Sequence, residues 1–317
     1  MIEYLKKASK AYYEGEPSIT DQEYDYLASL HNFNQLGTSP HPVGSIPHFN
    51  RLYSLDKFYE GDKLPFASQN VILITTPKLD GAAVSITYVD GLLSTVATRG
   101  DGYIGEDITN NFIGWEGIPQ SIDYDGIVQV VGEIVAPSTV ENSRNYAAGA
   151  NRLKDKKEFA SRNIQFVAYS LFFGKGRGSS YYLMDMTLLK QMGFRVVTES
   201  GLDKVYPTDG LVFRLNDCEE YYDAGFTAKH PKGAFALKDA DEFEVKETTL
   251  LDVIWQNGKS GKVTPVAIFE PIILEDAKVS KATLNNAGFV EDLNLSIGDT
   301  LLVTRAGGII PKILGTV

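Results

Sequence analysis

The sequence predicts an α+β protein in three parts, and three observations carry that expectation. Residues 1 to about 33 keep a rough helical period. From about Leu52 to Asp241 short strand-like runs alternate with Gly and Asp turns, and beyond Glu242 the chain is almost purely strand and turn. The expected division is a small helical domain with its linker over 1–50, a mainly antiparallel mixed domain over 51–241 and a β-barrel over 242–317. At 317 residues with 43% apolar side chains, the chain is long enough for two or three compact cores.

Each element has a local reason. Tyr4, Leu5, Ala8 and Tyr12 recur at helical spacing until Gly15 and Pro17 interrupt them. Thr20 followed three residues later by Glu23 is a capping box, so a second helix starts with Asp21, Tyr24 and Asp25 in its first turns. Gly37 to Pro47, rich in Gly, Pro, Ser and His, reads as a linker. Strand-like runs then cover Val71 to Thr75, Ala83 to Tyr88, Leu92 to Thr98, Ile127 to Val135, Phe166 to Phe172 and Gly210 to Leu215, with a helix near Met184 to Met192. Asp90-Gly91 stands between two runs at the spacing of a two-residue hairpin, which makes the sheet largely antiparallel. Leu250 to Gln256, Val263 to Leu274, Lys278 to Leu284 and Thr300 to Arg305 predict the barrel, with an OB-fold as the leading candidate.

Charge and cysteine content bound the function. Thirty Lys and Arg against 41 Asp and Glu leave a net charge of −11, so nucleic acid cannot be held by overall attraction. A local basic face remains available because screening acts over about 8 Å. Arg144, Arg152, Lys154, Lys156, Lys157 and Arg162 are the candidate, and a solvated helix face sharing Asp155 and Glu158 is the equal alternative. Cys218 is the single cysteine, which excludes an internal disulfide and a Cys-rich zinc finger within the chain. No run approaches the roughly 20 apolar residues of a membrane span, and Met1 to Lys10 lack the apolar core of a signal peptide. A cytoplasmic protein without a membrane partner is expected.

Lys78-Leu79-Asp80-Gly81 lies between two apolar runs, placing a lysine amine at the lip of a sheet. Lysine attacks phosphorus as the neutral amine, which requires its pKa to fall well below the usual ~10.4. The four residues alone would recur by chance. They are followed by Ala97-Thr-Arg-Gly-Asp-Gly-Tyr-Ile-Gly-Glu-Asp-Ile-Thr-Asn-Asn, Gly132-Glu133, Arg144-Asn-Tyr-Ala-Ala-Gly, Asp209-Gly-Leu-Val, Ala236-Leu-Lys238, Thr264-Pro-Val-Ala, Val279-Ser-Lys-Ala-Thr-Leu-Asn-Asn and Arg305-Ala-Gly-Gly-Ile-Ile-Pro. This colinear set, spanning nearly the whole chain, resembles the NAD-dependent DNA ligases, whose mixed domain is a nucleotidyltransferase domain.

The resemblance implies a role for each position. Lys78 becomes the AMP phosphoamide, Glu133 reaches the ribose hydroxyls, Lys238 meets the α-phosphate, and Asp209 positions Lys78 or a metal, with Asp80 in the nucleophile motif. Ser54, Leu55, Arg99 and Arg214 join the nucleotide contacts, and Arg99, Arg144, Arg152 and Arg305 are candidates for nicked double-stranded DNA. Tyr12, Tyr13, Asp21, Tyr24 and Asp25 match the segment that grips the nicotinamide mononucleotide half of NAD. NAD and Mg²⁺ are the implied small-molecule partners, with the metal ligands left open. Relatives continue into zinc-finger and helix-hairpin-helix domains; here a second subunit could supply them, or the chain is a piece cut at a domain edge, or it is a naturally minimal enzyme.

Several positions depart from the family: Tyr13 replaces histidine, Thr76 glutamate, Arg214 lysine and Lys57 asparagine, and Gly233 stands near a usual aromatic. Three rival readings remain. Gly100-Asp-Gly-Tyr-Ile-Gly105 fits G-x-G-x-x-G and raises an NAD dehydrogenase, but Gly114, Gly117 and Pro119 interrupt the crossover helix that a Rossmann unit needs. An ATP-using ligase or capping enzyme, and a catalytically silent DNA-binding relative, are the other two.

Overall fold

The computed structural model describes residues 4–5, 7–8, 19–31, 44–67, 69–174, 178–238, 245–257, 263–274, 277–284, 288, 290, 293, 295–306 and 310–316. The chain divides into two compact units, Met1–Asp239 and Ala240–Val317.

In the first unit, helix α1 (Asp21–Leu30) begins at the expected capping box. The Glu23 amide donates to Thr20 Oγ1 at 3.2 Å, and the Glu23 carboxylate accepts the Thr20 amide at 2.9 Å. Glu23 is fully buried and also accepts the Ile127 amide at 3.4 Å. One carboxylate therefore caps the helix and ties it to the sheet. Leu5, Tyr26, Leu27, Phe49 and Ile127 share a buried cluster, so the helical segment belongs to the same compact unit as the sheets beside it.

The next elements are β1 (Ser45–Pro47), β2 (Asp56–Phe58), β3 (Leu73–Leu79), β4 (Ala82–Val89), β5 (Leu92–Thr98) and β6 (Ile104–Glu106). They are followed by α2 (Thr109–Phe112), β7 (Ile127–Val135), α3 (Ser143–Ala150), α4 (Lys156–Ser161), β8 (Gln165–Phe173) and α5 (Tyr182–Gln191). Helix α6 (Leu202–Val205), β9 (Thr208–Leu215), α7 (Cys218–Asp223) and β10 (Ala234–Lys238) complete the unit. One sheet has the order β2-β10-β9-β3 and the other β5-β4-β7-β8. Every pairing in them is antiparallel except β2 with β10. The chain steps from the first sheet to the second at Asp80-Gly81, between β3 and β4.

Asp90 and Gly91 both have positive φ, 48° and 76°, as the hairpin turn between β4 and β5 requires. The second sheet carries the main core: Val84, Ile86, Val128, Val130 and Ile134 pack with Phe112, Phe159, Met186 and Leu189 from the helices. Full burial of each such side chain stabilises the fold by about 1.5–3 kcal/mol.

Two expectations need correction. The segment expected as a linker over Gly37 to Pro47 ends in strand β1, which pairs with β6, because Ile46 finds a buried place there; residues 37–43 lie outside the described residues. The run expected to end at Thr75 continues to Leu79, so Lys78, expected at the lip of the sheet, lies in the strand itself, one residue before its end. Arg99 to Gly105 joins antiparallel strands rather than opening a crossover helix, which removes the dinucleotide-fold rival.

The second unit is a closed barrel in the order β11-β12-β13-β15-β14, built from β11 (Lys246–Asn257), β12 (Val263–Leu274), β13 (Ala277–Thr283), β14 (Thr300–Ala306) and β15 (Ile310–Thr316). Pro265, Ala267 and Phe269 alternate inward along β12. The first four strands were legible in sequence. Strand β15 was missed, and it closes the barrel by pairing with both β13 and β14.

Candidate active site

Lys78 owes its position to an irregularity in strand pairing. Pro77 pairs with Leu211 and Leu79 with Thr208, so Lys78 alone faces both Asp209 and Gly210. Such a bulge re-aims side chains, and here it sets Lys78 Nζ 2.6 Å from Asp209 Oδ1. The other carboxylate oxygen of Asp209 lies 3.4 Å from Lys238 Nζ, on the neighbouring strand β10. Gly210 has φ 135°, and a Cβ there would come within 2.2 Å of the Leu237 carbonyl oxygen. The glycine after Asp209 thus serves both the bulge and the approach of β10.

The glycine of the Lys78-Leu-Asp-Gly motif has a similar reason. A Cβ on Gly81 would lie 2.2 Å from the Ile134 carbonyl oxygen and 2.9 Å from Glu133 Cγ. The crossing between sheets runs directly against β7 and brings Glu133 to the Lys78 side. Asp80 is tied down by its amide, which donates to the Pro207 carbonyl at 2.9 Å, and by Arg144 Nη1, 3.2 Å from its Oδ1.

Six ionisable groups, Lys78, Asp80, Glu133, Arg144, Asp209 and Lys238, therefore form one electrostatic cluster. Burial pushes the Glu133 carboxyl up from 4.5 to about 8, Asp80 and Asp209 adding to the rise while Lys78 and Arg144 oppose it. Glu133 is thus largely protonated near neutrality, able to donate as well as accept a hydrogen bond. Burial also raises the Asp80 carboxyl, with Arg144 opposing.

Arg99 reaches the same region. Its Nη2 donates to Ser54 Oγ at 2.5 Å, and His48 Nε2 lies 3.1 Å from its carbonyl oxygen. Tyr169 on β8, overlooked in the sequence, interacts with both Glu133 and Arg99; burial pushes its phenol far above the usual range. No motif marked it, and only the placement of β8 beside β7 reveals it.

The remaining candidates make no ion pair with this cluster among the described residues. Arg214 shares a sheet face with Lys238, because Ala234 pairs with Arg214 and Lys238 with Gly210. Its guanidinium sits over the Tyr221 ring at 4.1 Å and the Tyr182 ring at 4.5 Å. Leu55 packs beside Leu215, Tyr221 and Ala234. Arg152 is exposed just beyond α3, and within the expected basic stretch Arg162 is already paired with Glu158 at 2.9 Å. Cys218 is buried, 3.9 Å from Asp185, in keeping with a structural role.

Tyr24 and Asp25 belong to α1, whose cluster includes Ile127 at the start of β7. Glu133 lies six residues further along that strand, a separation of about 20 Å. Tyr12 and Tyr13 fall outside the described residues, as do the side chains of Asp21 and Arg305. Among the described residues no group of three or more His, Cys, Asp or Glu side chains is arranged to hold a metal. No described helix is long and apolar enough to cross a membrane.

A lysine in a strand bulge, held by an aspartate between two sheets and joined in sequence to a five-stranded barrel, defines the nucleotidyltransferase and OB-fold class. Comparison with known families narrows this. The NAD-dependent DNA ligase adenylation domain matches residues 42–140 and the NAD-dependent DNA ligase OB-fold domain matches residues 247–317, together more than half of the chain. The chain belongs to the NAD-dependent DNA ligase family. Proteins named DNA ligase from Shewanella frigidimarina and Corynebacterium aurimucosum are 34% and 32% identical to it, over 96% and 100% of this chain. A DNA ligase 1 from Nocardia farcinica is 32% identical over 96% of it. The matches cover 55%, 56% and 53% of those relatives, so the chain spans about half the length of the curated proteins it matches.

Proposed function

We propose that this chain is the catalytic core of an NAD-dependent DNA ligase, and the observation that carries the reading is the Lys78–Asp209–Lys238 arrangement facing Glu133. Lys78 Nζ attacks the α-phosphorus of NAD; an N–P bond forms, the P–O bond to the nicotinamide mononucleotide breaks, and that mononucleotide leaves. Asp209 is within hydrogen-bond distance of the attacking amine and takes its proton or holds it in line. Lys238 offsets charge developing on the α-phosphate oxygens. Glu133, with both donor and acceptor capacity in its protonated form, suits the ribose hydroxyls, and Tyr169, Arg99, Ser54, Leu55 and Arg214 complete the nucleotide surroundings.

AMP then passes from Lys78 to the 5′-phosphate of nicked double-stranded DNA, and attack by the 3′-hydroxyl seals the strand and releases AMP. Arg99, Arg144, Arg152 and Arg305 are the proposed DNA contacts. If Mg²⁺ takes part, the Asp209 carboxylate would help to hold it, and the ion would supply neutralisation of phosphate oxygens. Tyr12, Tyr13, Asp21, Tyr24 and Asp25 are the proposed grip on the nicotinamide mononucleotide. We place the helical, adenylation and barrel domains at 1–50, 51–241 and 242–317, and the enzyme in the cytoplasm. A second subunit carrying zinc-finger and helix-hairpin-helix domains is the further partner we propose.

Intact-mass measurement after incubation with NAD and Mg²⁺ tests the core of this reading. The expected result is a gain of one AMP with NAD, none with ATP, and none for Lys78→Ala, whose melting temperature stays near wild type because Lys78 is partly exposed. Labelling of Lys78→Ala would overturn the assignment.

A further inference from the structure

Arg51, Tyr53, Tyr103 and Phe226 form a surface stack that the proposed chemistry does not use. The Arg51 guanidinium lies 4.0 Å from the Tyr103 ring centroid and 4.5 Å from that of Tyr53. Tyr53 in turn stacks on Phe226, with centroids 4.9 Å apart and planes 28° from parallel. Arg51 Nη2 donates to the Ala228 carbonyl at 2.6 Å, which fixes the cation inside the stack. Both ends reach solvent: Tyr103 is 56% exposed and Phe226 37%.

Three cations, Arg51, Arg99 and Lys229, gather here beside the carboxylate of Asp101, although the chain as a whole carries −11. Arg99 donates to Ser54, whose amide donates to the carbonyl of the exposed Lys229 at 3.2 Å. The carboxylate of Asp101, next to this group, is turned onto the Tyr103 and Ile104 amides at 2.8 and 2.9 Å. It is therefore engaged within its own loop.

Aromatic faces flanked by cations suit a polyanion that carries flat bases, since ring stacking tolerates any base and cations meet phosphates. Within an intact duplex each base face is covered by its neighbours, whereas a break in one strand allows a terminal base face to open. We propose that this stack is a nucleic-acid contact in which Tyr103 covers the base face exposed at a strand break while Arg99 and Lys229 meet the flanking phosphates, favouring nicked over intact duplex. Its biological meaning rests on the ligase reading, but the contact itself does not require Lys78 chemistry.

The test is fluorescence anisotropy of the full chain with a labelled nicked duplex and an intact duplex of the same sequence at low salt. Tyr103→Ala should weaken binding to the nicked duplex about fivefold or more and to the intact duplex less than twofold, with an unchanged salt slope. Lys229→Ala should weaken both alike and reduce the slope by about 1. Tyr103→Phe, which keeps the ring, should keep the preference, and NAD self-adenylation should be at wild-type level in all three variants. Unchanged nicked-duplex affinity in Tyr103→Ala, equal loss on both duplexes, or loss of preference in Tyr103→Phe would overturn the contact. If the wild-type chain never adenylates yet Tyr103→Ala loses nicked-duplex affinity, the ligase reading fails and the contact stands.

Discussion

Replacing Glu133 by glutamine should flatten part of the protein's pH dependence. The carboxyl moves from 4.5 to about 8 on folding, chiefly through burial. The native state then binds a proton that the unfolded chain has released, so between these values stability falls as pH rises. Applying the two values at pH 6 and pH 8 gives a loss of at most about 2.3 kcal/mol for wild type across that interval. Water at the exposed edge of this half-buried group relaxes part of the cost, leaving about 1 kcal/mol. Glutamine keeps the shape but carries no titrating proton, so it should remove that slope. Asp80 is also raised by burial, but it is present in both proteins and cancels from the difference. Urea unfolding followed by tryptophan fluorescence provides the assay. Trp115 is buried in the first unit while Trp255 is 53% exposed on the barrel, so the signal mainly reports the unit that holds Glu133. Parallel wild-type and Glu133→Gln stability curves from pH 6 to 8 would refute the burial argument.

Gly81→Ala should cost about 1–3 kcal/mol and depress self-adenylation, because its Cβ would press on the Ile134 carbonyl and Glu133; a wild-type melting temperature would contradict the close approach. Deleting residues 1–40 should abolish reaction with NAD while sparing the sealing of DNA already adenylated at its 5′ end. Circular dichroism must accompany that assay, since the deletion uncovers Phe49 and Ile127, and equal loss of both activities would mean that the segment supports the whole fold. If Arg99, Arg144 and Arg152 each meet one phosphate, duplex affinity should fall about 40-fold between roughly 50 and 200 mM salt. A flat salt response in filter binding would exclude that set.

The α+β class, the hairpin at Asp90-Gly91, the capping box at Thr20 and four of the five barrel strands were legible in the sequence because short-range chemistry fixes them. Turn residues demand particular φ values, a cap pairs groups three residues apart, and alternation marks a buried face. Colinear motifs likewise singled out Lys78, Glu133, Asp209 and Lys238. Tertiary structure alone decided how these act together. The bulge that sets Asp209 against Lys78 depends on strands 131 residues apart in sequence. The protonation of Glu133 depends on what surrounds it, and Tyr169 enters only because β8 lies beside β7. The same holds for the seat of α1, where Glu23 finds the Ile127 amide 104 residues away. Local sequence sets backbone propensities and the inventory of reactive groups, whereas distances between groups far apart in the chain, and the burial that tunes them, arise only when the sheets pack.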